Sequence, residues 1–346
     1  MRIDDVSSQM GIAATIGDID AASDEPRLRA GVLRAREAVA AELAAHTPTL
    51  TLAAAWSEVM RRSVATAARL VAGDKQLGWT WFVSGSVARG EAIPGSDVET
   101  LIALDDGVDD AGKSEVLALA ADVHALLERC NLSPDANGVL ASRGRFCRRR
   151  ANWAESIERW CSEPTEDRGV VMTGLLADTT GVLDHDDELR SRTVDAARRH
   201  PQARHAMLRD ATAVRASIPS RLRVFATQDD TVDLKLAAVD PIVKIARWGA
   251  LSAASTSIST LQRLDDAAAK VLDADDASIL RDCYLSLSRI RWRVRAGAWM
   301  KGEPVTERVS LSALAPADRA ALRTVAREVN GIRRKLAFLA STSSFR

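Results

Sequence analysis

Apolar positions recur every three or four residues over most of this chain. The first clear stripe, Leu28, Val32, Ala35, Val39 and Leu43, predicts a helix over 26–45. A break at Thr47-Pro48 separates it from a second helix over 50–73, whose apolar face carries Leu52, Trp56, Met60, Val64, Ala67 and Leu70. Residues 1–24 show no clear period and read as a loose leader. The period then shortens. WTWFVS at 79–84 and VETLIAL at 98–104 are short, rich in strand formers and bounded by Gly or Asp-Gly turn signals, so they predict two strands. Between them lies GSVARGEAIPGSD, rich in Gly and Ser. A helix is expected over 112–129 and a third short strand over 138–141 (GVLA).

Beyond Gly144 the helical period returns. Helices are expected at 152–162, 165–177, 188–198, 203–216, 240–262, 275–297 and 317–340. Asp240-Pro241 reads as an N-cap followed by the first helical position. Trp248, Trp292 and Trp299 fall on helix faces and are read as core. The order predicts an α+β chain: a small mixed-sheet domain with N-terminal helices, followed by an all-helical domain. The boundaries drawn are 1–48 for the leader and first helix, 49–200 for the mixed-sheet domain and 201–346 for the helical domain.

Composition narrows the classes. Lys+Arg and Asp+Glu are both 47 in 346 residues, so the chain is no strongly basic nucleic-acid coat. Nucleic acid is a disfavoured partner. The four cysteines, Cys130, Cys147, Cys161 and Cys283, form no CxxC pair and are read as reduced thiols. The N-terminus lacks a signal-peptide pattern and no long apolar run is present, so a cytoplasmic protein is expected.

The segment with chemistry in it is Ser84-Gly85-Ser86-Val87-Ala88-Arg89-Gly90-Glu91, followed by Gly95-Ser96-Asp97-Val98-Glu99. Residues i and i+2 of a strand share a face, which places Asp97 and Glu99 side by side. Two adjacent carboxylates do not both stay ionised cheaply unless a cation lies between them. Mg²⁺ fits, because it takes hard oxygens and leaves positions open for phosphate. Gly85 and Ser86 offer backbone N–H groups and a hydroxyl with no Cβ at Gly85, a suitable approach for a triphosphate. Arg89 is a candidate phosphate contact. Together these pieces describe Mg²⁺-dependent transfer of a nucleotidyl group from an NTP.

The segment resembles the hG[GS]…Dh[DE]h signature of the polymerase-β-like nucleotidyltransferase superfamily. WTWFVSGSVARGEAIPGSDVE is similar, more closely, to the GSxxRGExxxxxDxD segment of bacterial signal-transduction nucleotidyltransferases, relatives of the PII uridylyltransferase and the glutamine-synthetase adenylyltransferase. PDANGVLAS at 134–142, WAESIERWCSEP at 153–164, and Val232-Asp233-Leu234-Lys235 with Pro241-Ile242-Val243 extend the likeness over about residues 50–340. The resemblance implies a protein hydroxyl on a regulatory partner as acceptor, and it makes Lys235 a candidate phosphate contact. It also implies a third carboxylate, for which Asp135 and Asp178 are candidates beside the option that neither serves. Departures are Glu99 where Asp is usual, Leu236-Ala237-Ala238 where Gly-Gly follows the Asp-Leu-Lys segment, and Thr180 where Arg is usual. Rival readings are a small-molecule or RNA-modifying, toxin-like nucleotidyltransferase, and a nucleotide-sensing module without transfer.

Two other features draw notice. Ser142 to Asn152 concentrates Arg143, Arg145, Arg148, Arg149 and Arg150, a basic stretch that either faces an anionic partner or is simply solvated. His185, in an acidic run, reads as part of a loop at a helix start.

Overall fold

A computed structural model describes residues 3–183, 186–219 and 229–342. The elements run α1 (Ile3–Asp20), α2 (Glu25–Ala44), α3 (Thr49–Ala72), β1 (Trp79–Val83), α4 (Gly85–Ala88), β2 (Thr100–Leu104), α5 (Asp110–Arg129), β3 (Cys147–Arg149) and α6 (Arg150–Ser162). They continue with α7 (Gly169–Ala177), β4 (Thr180–Gly181), α8 (Glu188–Arg199), α9 (Pro201–Ala213), β5 (Thr231–Asp233), a π-helical turn (Lys235–Val239), α10 (Asp240–Ser252), α11 (Thr260–Ala267), α12 (Ala274–Lys301), β6 (Arg308–Ser310) and α13 (Pro316–Thr342). The chain is an α+β protein, as its pattern predicts. It divides into two compact units: Met1–Ser156 with Asp178–Arg190 and Met300–Gly302, and Ile157–Ala177 with Ser191–Trp299 and Glu303–Arg346.

The first unit holds a mixed four-stranded sheet in the order β3-β2-β1-β4. β1 and β2 pair antiparallel from Trp79↔Leu104 to Val83↔Thr100, β4 pairs antiparallel with β1, and β3 pairs parallel with β2. β2 is buried at every position, which is why it reads as an unbroken apolar run. Helices α1, α2 and α3 pack on one another, and α3 also packs on α4 and α5.

Several sequence expectations need correction here. The stretch read as a loose leader is largely the helix α1. Among its described side chains it buries Ile12, Thr15 and Ile19, and its acids and glycines dilute the period. The third strand is 147–149, not 138–141. The Val139 carbonyl accepts from Thr100 N–H (3.0 Å), but Ala141 N–H donates to the Thr100 hydroxyl (3.0 Å), so no ladder propagates there. The edge of β2 is taken up instead by Phe146 and then β3.

In the second unit α10 is buried along most of its length and packs on α9 and α11. The helix expected over 240–262 ends at Ser252, where Ala254 takes a left-handed φ of 54°, and α11 restarts after Ser259, which caps it by accepting from Gln262 N–H. Asp240 is not a cap: the chain enters α10 already helical from the π turn, so Asp240 lies in the first turn. Trp248, Trp292 and Trp299 are buried, as expected. All four cysteines are free and buried.

Candidate active site

The site grows out of the β1–β2 register. Val83↔Thr100 is the last pair of the ladder, so Ser84 and Glu99 face each other just past it, joined by Ser84 N–H donating to the Glu99 carbonyl at 3.0 Å. Gly85 follows with a φ of 64° and opens α4. A Cβ added there would stand 2.8 Å from the Glu99 carboxylate carbon and both its oxygens. Glycine is therefore required twice, by the left-handed backbone and by the approach to Glu99. The loop then closes on itself, with Arg89 N–H donating to Gly85 and Glu91 N–H to the Ser86 carbonyl at 2.8 Å. Ser57 on α3 holds the far side of the loop by accepting from Ala92 N–H at 2.9 Å.

Asp97 and Glu99 precede β2 proper. Val98 between them is buried and bridges to Pro134 in parallel sense, which leaves the two acids half-buried on the other side of the chain. The same bridge brings Asp135 in. Its oxygens accept from Val139 N–H (2.8 Å) and from Asn137 Nδ2 (3.2 Å), and it is buried. Burial, followed by the charges of Asp135 and Asp97, pushes the Glu99 carboxyl up to about 7; Arg89 opposes the rise and Asp178 adds to it.

Arg89 is held between two acids, Glu91 through Nε at 2.7 Å and Asp178 through Nη1. Asp178 is almost fully buried. It therefore serves this site as an anchor for Arg89. Of the residues singled out in the sequence, the structure brings together Gly85, Ser86, Arg89, Asp97, Glu99, Asp135 and Asp178. Lys235 lies in the other compact unit, on the π turn, where its charge acts on Glu307.

The basic stretch is largely occupied by internal partners. Arg148 donates to Ser156 and lies over Trp153, Arg149 donates to Val108 carbonyl and Asp110, and Arg150 pairs with Glu188 and Thr80. His185 lies outside the described residues.

Three supporting residues were missed by sequence reading. Arg61 is buried on α3, pairs with Glu58, and donates to the carbonyls of Gly181, Val182 and Leu183, pinning the chain after β4. His124 bonds Thr100 through Nε2 (2.9 Å) and Ser142 through Nδ1 (3.1 Å); burial lowers its pKa to about 4, so it is neutral. Ser57 is the third. A buried Arg or His inside a helical stripe is the only sign that sequence offers for such residues.

The family described as "putative nucleotidyltransferase DUF294" matches residues 34–167, and the family described as "putative nucleotidyltransferase substrate binding domain" matches residues 201–339. The two matches together span well over half of the chain. The chain belongs to a nucleotidyltransferase family. Its substrate is accordingly a nucleotide, and the acidic loop lies inside the first match. No curated protein matches the chain. Among the described residues, no helix is long and apolar enough to cross a membrane.

The donor set can be tested against Mg²⁺. Among the described residues no group of three or more His, Cys, Asp or Glu side chains is placed to hold a metal ion by itself. Mg²⁺ does not ask for one. It is commonly bound through one or two carboxylates, with phosphate oxygens and water completing the octahedron. Burial raises the Glu99 pKa first, and the charges of Asp135 and Asp97 add a repulsion that a cation would relieve. Asp97 and Glu99 fit the ion.

Proposed function

We propose that this chain is a Mg²⁺-dependent nucleotidyltransferase that moves a nucleoside monophosphate from an NTP to an acceptor hydroxyl on a regulatory protein, releasing pyrophosphate. The observation that supports this best is the gathering of Asp97, Glu99 and Asp135 beside the Gly85 turn, which approaches the Glu99 carboxylate so closely that only glycine fits. Asp97 and Glu99 would hold the ion, with Asp135 completing the acidic set. When bound, Mg²⁺ supplies charge neutralisation for the α-phosphate and the leaving group. The Gly85-Ser86 turn orients the β- and γ-phosphates through its N–H groups and hydroxyl. Arg89, steadied by Glu91 and Asp178, presents a fixed positive charge toward them. The acceptor oxygen bonds to the α-phosphorus, the bond to the β-phosphate oxygen breaks, and the hydroxyl proton passes to a carboxylate of the acidic set.

The test is incubation of the full chain with each labelled NTP and a cell lysate, with Mg²⁺ and with chelator. The expected result is a labelled protein and pyrophosphate, both only with Mg²⁺. Label on RNA or on a small molecule would replace the protein acceptor. NTP binding without pyrophosphate would make the chain a nucleotide sensor.

A further inference from the structure

The helical unit contains a cavity of about 480 Å³ between one face of α13 and the segment 215–219. α13 contributes Arg323, Arg327, Asn330 and Arg334, spaced four, three and four residues apart and so on one helix face. Arg215 stands on the opposite wall. The lining holds, among the described residues, four guanidinium groups and no carboxylate. Among the described residues, Arg327 pairs with the exposed Glu328, and no carboxylate pairs with Arg215, Arg323 or Arg334.

The walls are fastened to each other. Asn330 Nδ2 donates to the Ala216 carbonyl at 2.7 Å, and Arg333 donates to the Thr212 carbonyl at 2.8 Å. Asn330 is only 7% exposed, yet its Oδ1 has no hydrogen-bond partner among the described residues. Through Nδ2, Asn330 fixes the cavity wall and leaves the ligand to the guanidinium groups. The guanidinium fork matches phosphate geometry in pairs of hydrogen bonds. The volume lies within the range of about 300–1,000 Å³ typical of small-molecule sites.

We propose that this cavity binds a small polyphosphorylated molecule, in chemical class a nucleoside polyphosphate. It does so with residues none of which belongs to the acidic loop. The arginines neutralise the phosphates, and the remaining volume takes the nucleoside.

The experiment is calorimetric titration of the full chain with inorganic tripolyphosphate and with a nucleoside triphosphate, in chelator, where binding that needs Mg²⁺ at Asp97 and Glu99 is silent. One site per chain is expected, tighter for the nucleotide than for tripolyphosphate. Arg323→Ala with Arg334→Ala should weaken it at least about tenfold, because both side chains are exposed contacts whose loss leaves the packing intact. Asp97→Asn should leave it unchanged. The proposal is overturned by absence of binding in chelator, by affinity that survives the double variant, or by a hexaglutamate peptide binding as tightly as the nucleotide. Loss of binding in Asp97→Asn alone would assign the signal to the acidic loop and overturn it too.

Discussion

The acidic loop of the first unit and the basic cavity of the second hold opposite charges by opposite means. In the loop, the acids are placed by backbone and by buried pairing. Glu99 is set by the end of a ladder, Asp135 by the Val98 bridge and its own accepted N–H groups, and Asp178 by burial against Arg89. In the cavity, three of the four guanidinium groups stand on exposed stems along a helix face with Arg215 opposite, and Asn330 is fixed. A site that must position phosphorus within tenths of an ångström benefits from the first kind of support. A site that need only hold a polyanion is served by the second, because long side chains adjust to the ligand.

This contrast breaks most visibly at Asp97. Asp97→Asn keeps the shape and removes one of two charges available to Mg²⁺, so nucleotide transfer should fall about a thousandfold, or about 4 kcal/mol in the barrier. Thermal melting should change little. Isothermal titration in Mg²⁺ should show the loss of NTP affinity, and unchanged metal-dependent affinity would remove Asp97 from the ligand set.

Asp178 tests the claim that burial, and not flexibility, supports the acidic loop. Arg89 and Asp178 are both largely buried, so Asp178→Ala removes one of the acids that hold the guanidinium. Breaking a buried pair from one side costs about 3–5 kcal/mol. Denaturant melts should place the loss near the lower figure, since Glu91 still accepts from Nε. Removing an exposed arginine of the cavity, such as Arg334→Ala, should move the midpoint hardly at all.

How much of this could be read from the sequence follows the same division. The β1–loop–β2 segment was legible because its geometry is local: glycines at turns, an acid pair at strand spacing, and apolar runs on either side. Asp135 was legible only as one of two candidates, since its place depends on a bridge between Val98 and Pro134 across more than thirty residues. β3 was not legible at all. Cys147-Arg148-Arg149 has no strand signature, and it pairs because β2 presents a free edge there. The Arg61 clamp is tertiary in origin, and no window of sequence contains its carbonyl partners.

His124 gives a pH test confined to the first unit. Its folded pKa is lowered from 6.5 to about 4 by burial, so the fold keeps the imidazole neutral. Above pH 6.5 neither state takes the proton and nothing is lost. As pH falls below 6.5 the unfolded chain binds a proton that the folded chain refuses, and stability declines until about pH 4. Two and a half pKa units correspond to at most about 3 kcal/mol. Urea melts of the wild type and of His124→Gln between those limits should differ in slope, with the variant flatter. Parallel slopes would assign the acid sensitivity elsewhere.

The smallest expected effect lies in the second unit, where α10 crosses α11. A Cβ added at Gly249 would sit 2.7 Å from the Cβ of Ala267, closer than carbon atoms pack. Two effects of Gly249→Ala oppose each other. Helix propensity favours Ala over Gly by about 0.8–1.0 kcal/mol in a helix interior. Overpacking a close helix contact costs about 1–3 kcal/mol. The net loss should therefore be under about 2 kcal/mol. A double-mutant cycle separates the terms, because Ala267→Gly removes the opposing methyl. That change should destabilise the wild-type background through propensity and stabilise the Gly249→Ala background through relief of the clash. A coupling of about 1 kcal/mol of that sign would show that the helix pair is set by contact between small residues. A coupling near zero would mean that α10 and α11 separate freely, and that the helical unit is as adjustable in its core as it is along the arginine face of α13.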